Sequence, residues 1–203
     1  ALIILSPTFI GFLGVLFPAF GYFPALGGNY FSLNFFNDLF FIPGIKKSLL
    51  LSLFTGFFST LLALFFSQLI LLYIFNTKIF YYLKIIISPL VALPHITMAV
   101  GLLFLLSPSG FILRALSPWL TGYDRPPDFY LIPDEFGLSL ILGLVLKEIP
   151  FFLLTSIAAL EQFPANKLFN VGKSLQHSNF STWCLIIFPN LYNKIRLVIF
   201  IVI

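Results

Sequence analysis

NVGKSLQHSNFSTWCLIIFP, residues 170–189, is one of the few long polar stretches in a very apolar chain. It lies between two apolar runs of membrane-spanning character, which makes it a loop of about twenty residues on one membrane face. A membrane protein without a large soluble domain has a use for such a loop if a soluble partner docks there. The pattern reads as a helix over residues 166–175, a turn at 177–179 and a second helix over 180–187, with Pro189 near the start of the next span. A helix–turn–helix lying flat on a membrane face can fit a groove on a soluble subunit. Leu175 and Phe180 would be its apolar anchors, Lys173 and His177 its polar rim. An ordinary helical linker fits the same pattern.

Composition fixes the class. The chain is 60% hydrophobic and only 9% charged, against about 45–50% apolar and about 25% charged for soluble domains. A soluble fold would need a core with almost no surface, so the expected class is an all-α polytopic membrane helix bundle. The net charge of +4 is spread along the chain, with no basic stripe of the kind that tracks a phosphate backbone, and no nucleic-acid partner is expected. The lone Cys184 excludes an intramolecular disulfide. No cluster of Cys, His and carboxylates points to a metal, and no cofactor is expected. The chain starts at Ala1 rather than Met and stops within an apolar run, so it reads as one domain over 1–203, truncated at both ends.

Five spans follow from the apolar runs: residues 2–23, 47–75, 85–106 and 136–160, and a fifth opening near Pro189 and cut short at Ile203. The links are an amphipathic loop over 24–45, a short basic link over 76–84, a turn with a short interfacial helix after Leu106, and a proline-rich loop over 124–135. Ser48, Ser52, Ser59 and Ser67 are small polar residues suited to helix–helix contact in the second span. Pro89 and Pro94 in the third span and Pro150 in the fourth predict kinks, serving either moving parts or irregular packing. Tyr22, Tyr30, Trp119, Tyr123, Tyr130, Trp183 and Tyr192 fall where an aromatic interface belt would lie.

Basic residues set the orientation. Lys78, Lys84, Lys167, Lys173, Lys194 and Arg196 share one face; Lys46, Lys47, Arg114 and Arg125 share the other. Six against four favours the first face, which carries the loop over residues 161–188, as cytoplasmic. Lys147 and Glu148 fall near the middle of the fourth span, where each charge costs about 2.5–3.5 kcal/mol on insertion scales. Helical neighbours point about 100° apart, so they need not pair with each other. Each is either a pathway residue or a structural partner for another span, and the carbonyl of Leu146, freed by Pro150, is one available acceptor. His95, directly after Pro94, has the same two readings. No nucleophile–base–acid set and no Walker-type phosphate loop occurs, so the chain reads as neither an enzyme nor its own ATPase.

The loop resembles the cytoplasmic coupling loop of the permease subunits of binding-protein-dependent ABC importers, the MetI-like transmembrane domains. That family writes E-A-A-x-x-L-G, twelve residues, then Pro. Here the frame is Asn170-Val171-Gly172-Lys173-Ser174-Leu175-Gln176, with Pro189 thirteen positions after Gln176. Asn170 stands in place of the Glu. Gln176 stands in place of the Gly, and glutamine favours continuing a helix where glycine would end it. LSPSGFILRALSPWLTGYDRPPDFYLIPDEFGLSL and LVLKEIPFFLLTSIAAL look like the first half of the YnjC-type permeases, of a proposed thiamine-type importer. The resemblance implies a second permease half, a cytoplasmic ABC ATPase, a periplasmic solute-binding protein and transport of an unmodified, thiamine-like solute. The alternative is an ion-gradient-driven secondary transporter with Glu148 as the coupling carboxylate.

Overall fold

Proline, glycine and short polar links divide the apolar chain into helices. The computed structural model describes residues 2–128 and 134–203. Regular structure within them is helical, with one isolated β-bridge. Tyr130, assigned to the aromatic belt, lies outside the described residues.

The N-terminal unit is Ala1–Leu50. Helix α1, Leu2–Ala19, carries Pro7 and Pro18 within it and stops short of the expected boundary at Phe23. Gly21, at φ 83°, turns the chain, and Phe23 pairs with Gly28 in the β-bridge. Tyr22 stacks on Phe31 with centroids 5.0 Å apart, and Phe20 O accepts the Ser32 N–H at 2.8 Å. A short helix α2, Asn34–Leu39, follows in the loop expected to be amphipathic.

The second unit is Leu51–Ile203 and takes in most of α3, Ile45–Ile74. The remaining helices are α4 (Lys78–Ala92), α5 (His95–Leu106), α6 (Phe111–Leu116), α7 (Leu138–Leu160), α8 (Ala165–Ser174), α9 (Asn179–Thr182) and α10 (Phe188–Val202). A π-turn over Trp183–Ile187 joins α9 to α10 without a break. Among the described residues, four segments are long and apolar enough to cross a membrane: Ile45–Ile74, His95–Leu116, Leu138–Leu160 and Asn179–Val202. This is consistent with a multi-pass membrane protein. Leu5–Ala19 is apolar but shorter.

Two boundaries differ from expectation. The third span is not one helix over residues 85–106. The helix starts at Lys78, inside what read as a link, and breaks at Leu93–Pro94, which are both extended (ψ 130° and 147°). Pro94 supplies no N–H for the ladder, and its ring drives Leu93 out of the α region. Pro89 stays inside α4, so the two prolines act differently. The last span does not open at Pro189 either. Its helix begins ten residues earlier, at Asn179, capped by Ser178 Oγ accepting the Ser181 N–H at 3.1 Å. Pro189 is accommodated by the π-turn: Phe188 N–H reaches back to Trp183 O, and Asn190 Nδ2 donates to Ile186 O at 2.7 Å.

The packing suits lipid. On α3 the buried positions include Thr55, Ser59, Thr60, Ser67 and Gln68, while Phe54, Phe57, Phe65 and Phe66 are exposed. Lipid offers helices no hydrophobic drive to associate, so small and polar residues make the contact and large apolar ones face outward. Ser59 and Ser67 join this seam as expected; Ser48 and Ser52 are exposed. Gln68 Nε2 donates to Ser156 Oγ on α7 at 3.2 Å. The apolar core gathers Leu71, Phe75, Leu153, Ile157, Phe169 and Ile187, at the end of the unit where α8 lies.

Candidate functional site

Helix α8 is amphipathic. Ala165, Phe169 and Gly172, spaced i, i+4 and i+7, are its buried face. Phe75, just past the end of α3, meets Phe169 at 5.2 Å and Trp183 at 5.4 Å, both edge-on. Trp183, expected in the interface belt, is therefore interior at 2% exposure. Such aromatic contacts contribute about 0.5–1.5 kcal/mol each beyond burial. Gly172 sits against Thr182: a Cβ there would collide with Thr182 Cγ2 and lie 2.8 Å from its Oγ1. Glycine at this point lets α8 lie directly on α9.

The opposite side of this helical pair is open. Asn170, Val171, Lys173, Leu175, His177 and Phe180 are all exposed, Leu175 at 64% and Phe180 at 60%. Lys173 Nζ lies 5.2 Å over the Phe169 ring, so it covers the edge of the aromatic cluster. The helix ends close to the expected boundary at residue 175. Glutamine does not prolong the helix: Gln176 adopts φ 62°. Gln176 N–H bonds to Lys173 O at 2.9 Å and His177 N–H to Gly172 O at 3.1 Å. These two bonds are a Schellman ending, with Gln176 at the left-handed position that glycine normally fills. Pro189, placed at the start of a span, is inside the continuous helix and exposed.

The second group of sequence-selected residues converges on a cavity. His95, Lys147 and Glu148 line one void of about 510 Å³ with Val91, Leu93 and Phe151. His95 and Lys147 also line a neighbouring void of about 440 Å³ between α5 and α7. Lys147 is 9% exposed. Its Nζ donates to Val91 O at 2.8 Å, Leu90 O at 3.3 Å and Leu93 O. These are carbonyls at the end of α4, released by the Pro94 break. The acceptor is thus not Leu146, one turn before Pro150, but a neighbouring helix that a proline has cut. The cation at a helix C-terminus also suits the local dipole. Glu148 turns away, toward the Thr60 hydroxyl on α3, and its Oε2 is buried without a hydrogen-bond partner. The two neighbours form no ion pair with each other, in keeping with their angular separation on α7. The ion pair among the described residues is Lys84–Glu161 at 3.5 Å, well exposed on both sides.

Several contributors escaped sequence reading. Thr60 and Gln68 look like ordinary polar residues in an apolar run. Asp134 gave no signal beyond its proline-rich surroundings, yet it caps α7: its oxygens accept Leu138 N–H at 2.6 Å, Ser139 N–H at 2.9 Å and the Ser139 hydroxyl. The Ser139 hydroxyl, then the backbone amides, pull the Asp134 carboxyl down to about 2 from 3.8. Among the described residues no three His, Cys, Asp or Glu gather as a metal site.

Comparison with protein-family models, with curated proteins and with solved structures found no match to this chain.

Proposed function

We propose that the chain is an integral-membrane permease subunit of an ATP-driven importer, lodged in a cell inner membrane. It forms part of a solute pathway and couples to a separate ATPase through the cytoplasmic loop over residues 161–188. One observation carries the reading. The α8–α9 pair, closed on itself at Gly172, is anchored to the bundle by Phe169 and, just beyond α9, by Trp183, yet holds Leu175 and Phe180 outward. A linker has no need to combine a packed inner face with outward apolar side chains. A lever has both: one surface to be pushed and one to transmit the push.

In this mechanism, ATP binding closes the ATPase dimer beneath the loop. Helix α8 moves with it and, through the Phe75–Phe169–Trp183 cluster, shifts the end of α3 and the helix leading into α10. The bundle then alternates between two arrangements that nucleotide and solute both bias. The α4–α5 break, held by Lys147, supplies a point of flexion beside the cavity. Helix α1 serves as a fifth membrane segment. A second permease half completes the pathway, a periplasmic solute-binding protein delivers the solute, and a thiamine-like solute is the candidate cargo.

The test is copurification from native membranes. Leu175→Asp combined with Phe180→Asp should abolish recovery of the ATPase with the permease while leaving membrane insertion intact. Undiminished recovery overturns the assignment.

A second reading rests on Glu148, whose buried Oε2 lacks a partner beside the cavity. A carboxylate placed there could exchange a proton or bind a sodium ion, as an ion-driven transporter requires. That reading expects uptake to collapse with an ionophore and to persist without any ATPase partner; the importer reading expects the reverse.

A further inference from the structure

Outside the coupling loop and the polar void, a third cavity of about 310 Å³ lies beyond the end of α6. Its lining includes Arg114, Arg125, Tyr123 and Asp124. Neither guanidinium makes a hydrogen bond or an ion pair among the described residues, although Asp124 lines the same cavity. Pro108, Pro118, Pro126 and Pro127 form much of the remaining wall, and their locked φ angles hold its shape at low entropic cost. Arg114 closes a segment apolar enough to cross a membrane, His95–Leu116, so its head group lies at an interface. Phe111, Trp119 and Leu120, close in sequence to the lining residues, are exposed, Trp119 at 90%.

We infer that this cavity binds the phosphate diester of an anionic phospholipid with a hydroxylated headgroup. The reading rests on the membrane placement of the chain and is independent of the importer proposal. Two unpaired guanidiniums present forked donors matched to phosphate oxygens, and the Tyr123 hydroxyl adds a further donor. Asp124 accepts from headgroup hydroxyls. Its charge also favours a singly charged diester over the more highly charged free phosphate. The exposed Phe111, Trp119 and Leu120 have the character of residues that sit among acyl chains at the interface.

Native mass spectrometry of the full chain in mild detergent tests the assignment, with phosphatidylglycerol and phosphatidylcholine added in equal amounts. The wild type should retain phosphatidylglycerol in preference, and Arg114→Gln with Arg125→Gln should reduce that retention by about tenfold or more. Arg114→Lys with Arg125→Lys should keep part of it, because charge survives while the fork is lost. Arg125→Gln alone, on an exposed loop residue, gives the same readout if the double variant does not purify as a single species. Equal retention by wild type and Gln variants overturns the site, as does equal retention of the two lipids. Displacement of the lipid by excess inorganic phosphate assigns the cavity to a soluble ion and overturns the lipid reading.

Discussion

Gln176 is a side chain in a backbone position built for none. At φ 62° a Cβ crowds the following carbonyl, which costs about 1–2 kcal/mol. The two Schellman hydrogen bonds hold it there nonetheless. Gln176→Gly should therefore stabilise the loop. Glycine also gains freedom in the unfolded chain, so the net gain is about 0.5–1 kcal/mol. A rise in the thermal midpoint of the detergent-solubilised protein, with slower proteolysis after Lys173, is the expected outcome; no change or a fall would show that the turn is not left-handed. The sequence carried part of this. The Asn170–Gln176 frame located the turn, but glutamine's helix preference pointed the wrong way, because propensity averages over helix interiors and this residue is a C-terminal cap. Trp183 was misread for a related reason. Tryptophan is common at membrane interfaces, and only packing against Phe75 reveals it as interior.

At the scale of elements, legibility followed the length of the apolar runs. Helices α3 and α7 were readable because long, mostly hydrophobic stretches leave few alternatives, even with Lys147, Glu148 and Pro150 inside α7. The α4–α5 pair was not, since KIFYYLK carries two lysines that mimic a link, and the cutting proline lies beyond them. The break creates orphan carbonyls that Lys147 satisfies from α7. Lys147→Met should destabilise the protein even though it removes a buried charge, because each carbonyl left unpaired costs about 1–3 kcal/mol. A net loss of about 1–3 kcal/mol, read as a lower thermal midpoint with new protease sensitivity near Pro94, is expected. Lys147→Arg should retain most of the stability, since its donors can reach the same acceptors. The start of α7 gives a pH prediction. The Asp134 carboxyl is held at about 2, below its ordinary 3.8, so its contribution is fully present above pH 3.8 and lost as pH falls through 2. Amide protection at Leu138 and Ser139 should decline across that interval. Asp134→Asn should weaken protection at neutral pH and flatten the acid dependence.

For the molecule as a whole, the remaining question is which end of the bundle faces the cytoplasm. Charge counting favoured the loop side, and two of those charges have partners there. Lys84 pairs with Glu161 at the end of α7, and Lys173 overlies Phe169, whose partner Phe75 follows α3. Arg114 lies past α5, and the start of α7 belongs to the opposite end of that helix. Topology can therefore be read with the chain's own chemistry, because Cys184 is the single thiol and its removal is permitted by its exposure. In a Cys184→Ser background, Leu175→Cys should react with a membrane-impermeant maleimide in inside-out vesicles and resist it in intact cells. Leu120→Cys, exposed beyond α6, should behave in the opposite way. Each position serves as the other's control for thiol reactivity, since both are highly exposed. Labelling of both positions from the same side would place Leu175 and Leu120 on one face and overturn the expected topology. Labelling of Leu175→Cys only from outside would keep the bundle but invert it, leaving the proposed ATPase no surface to push.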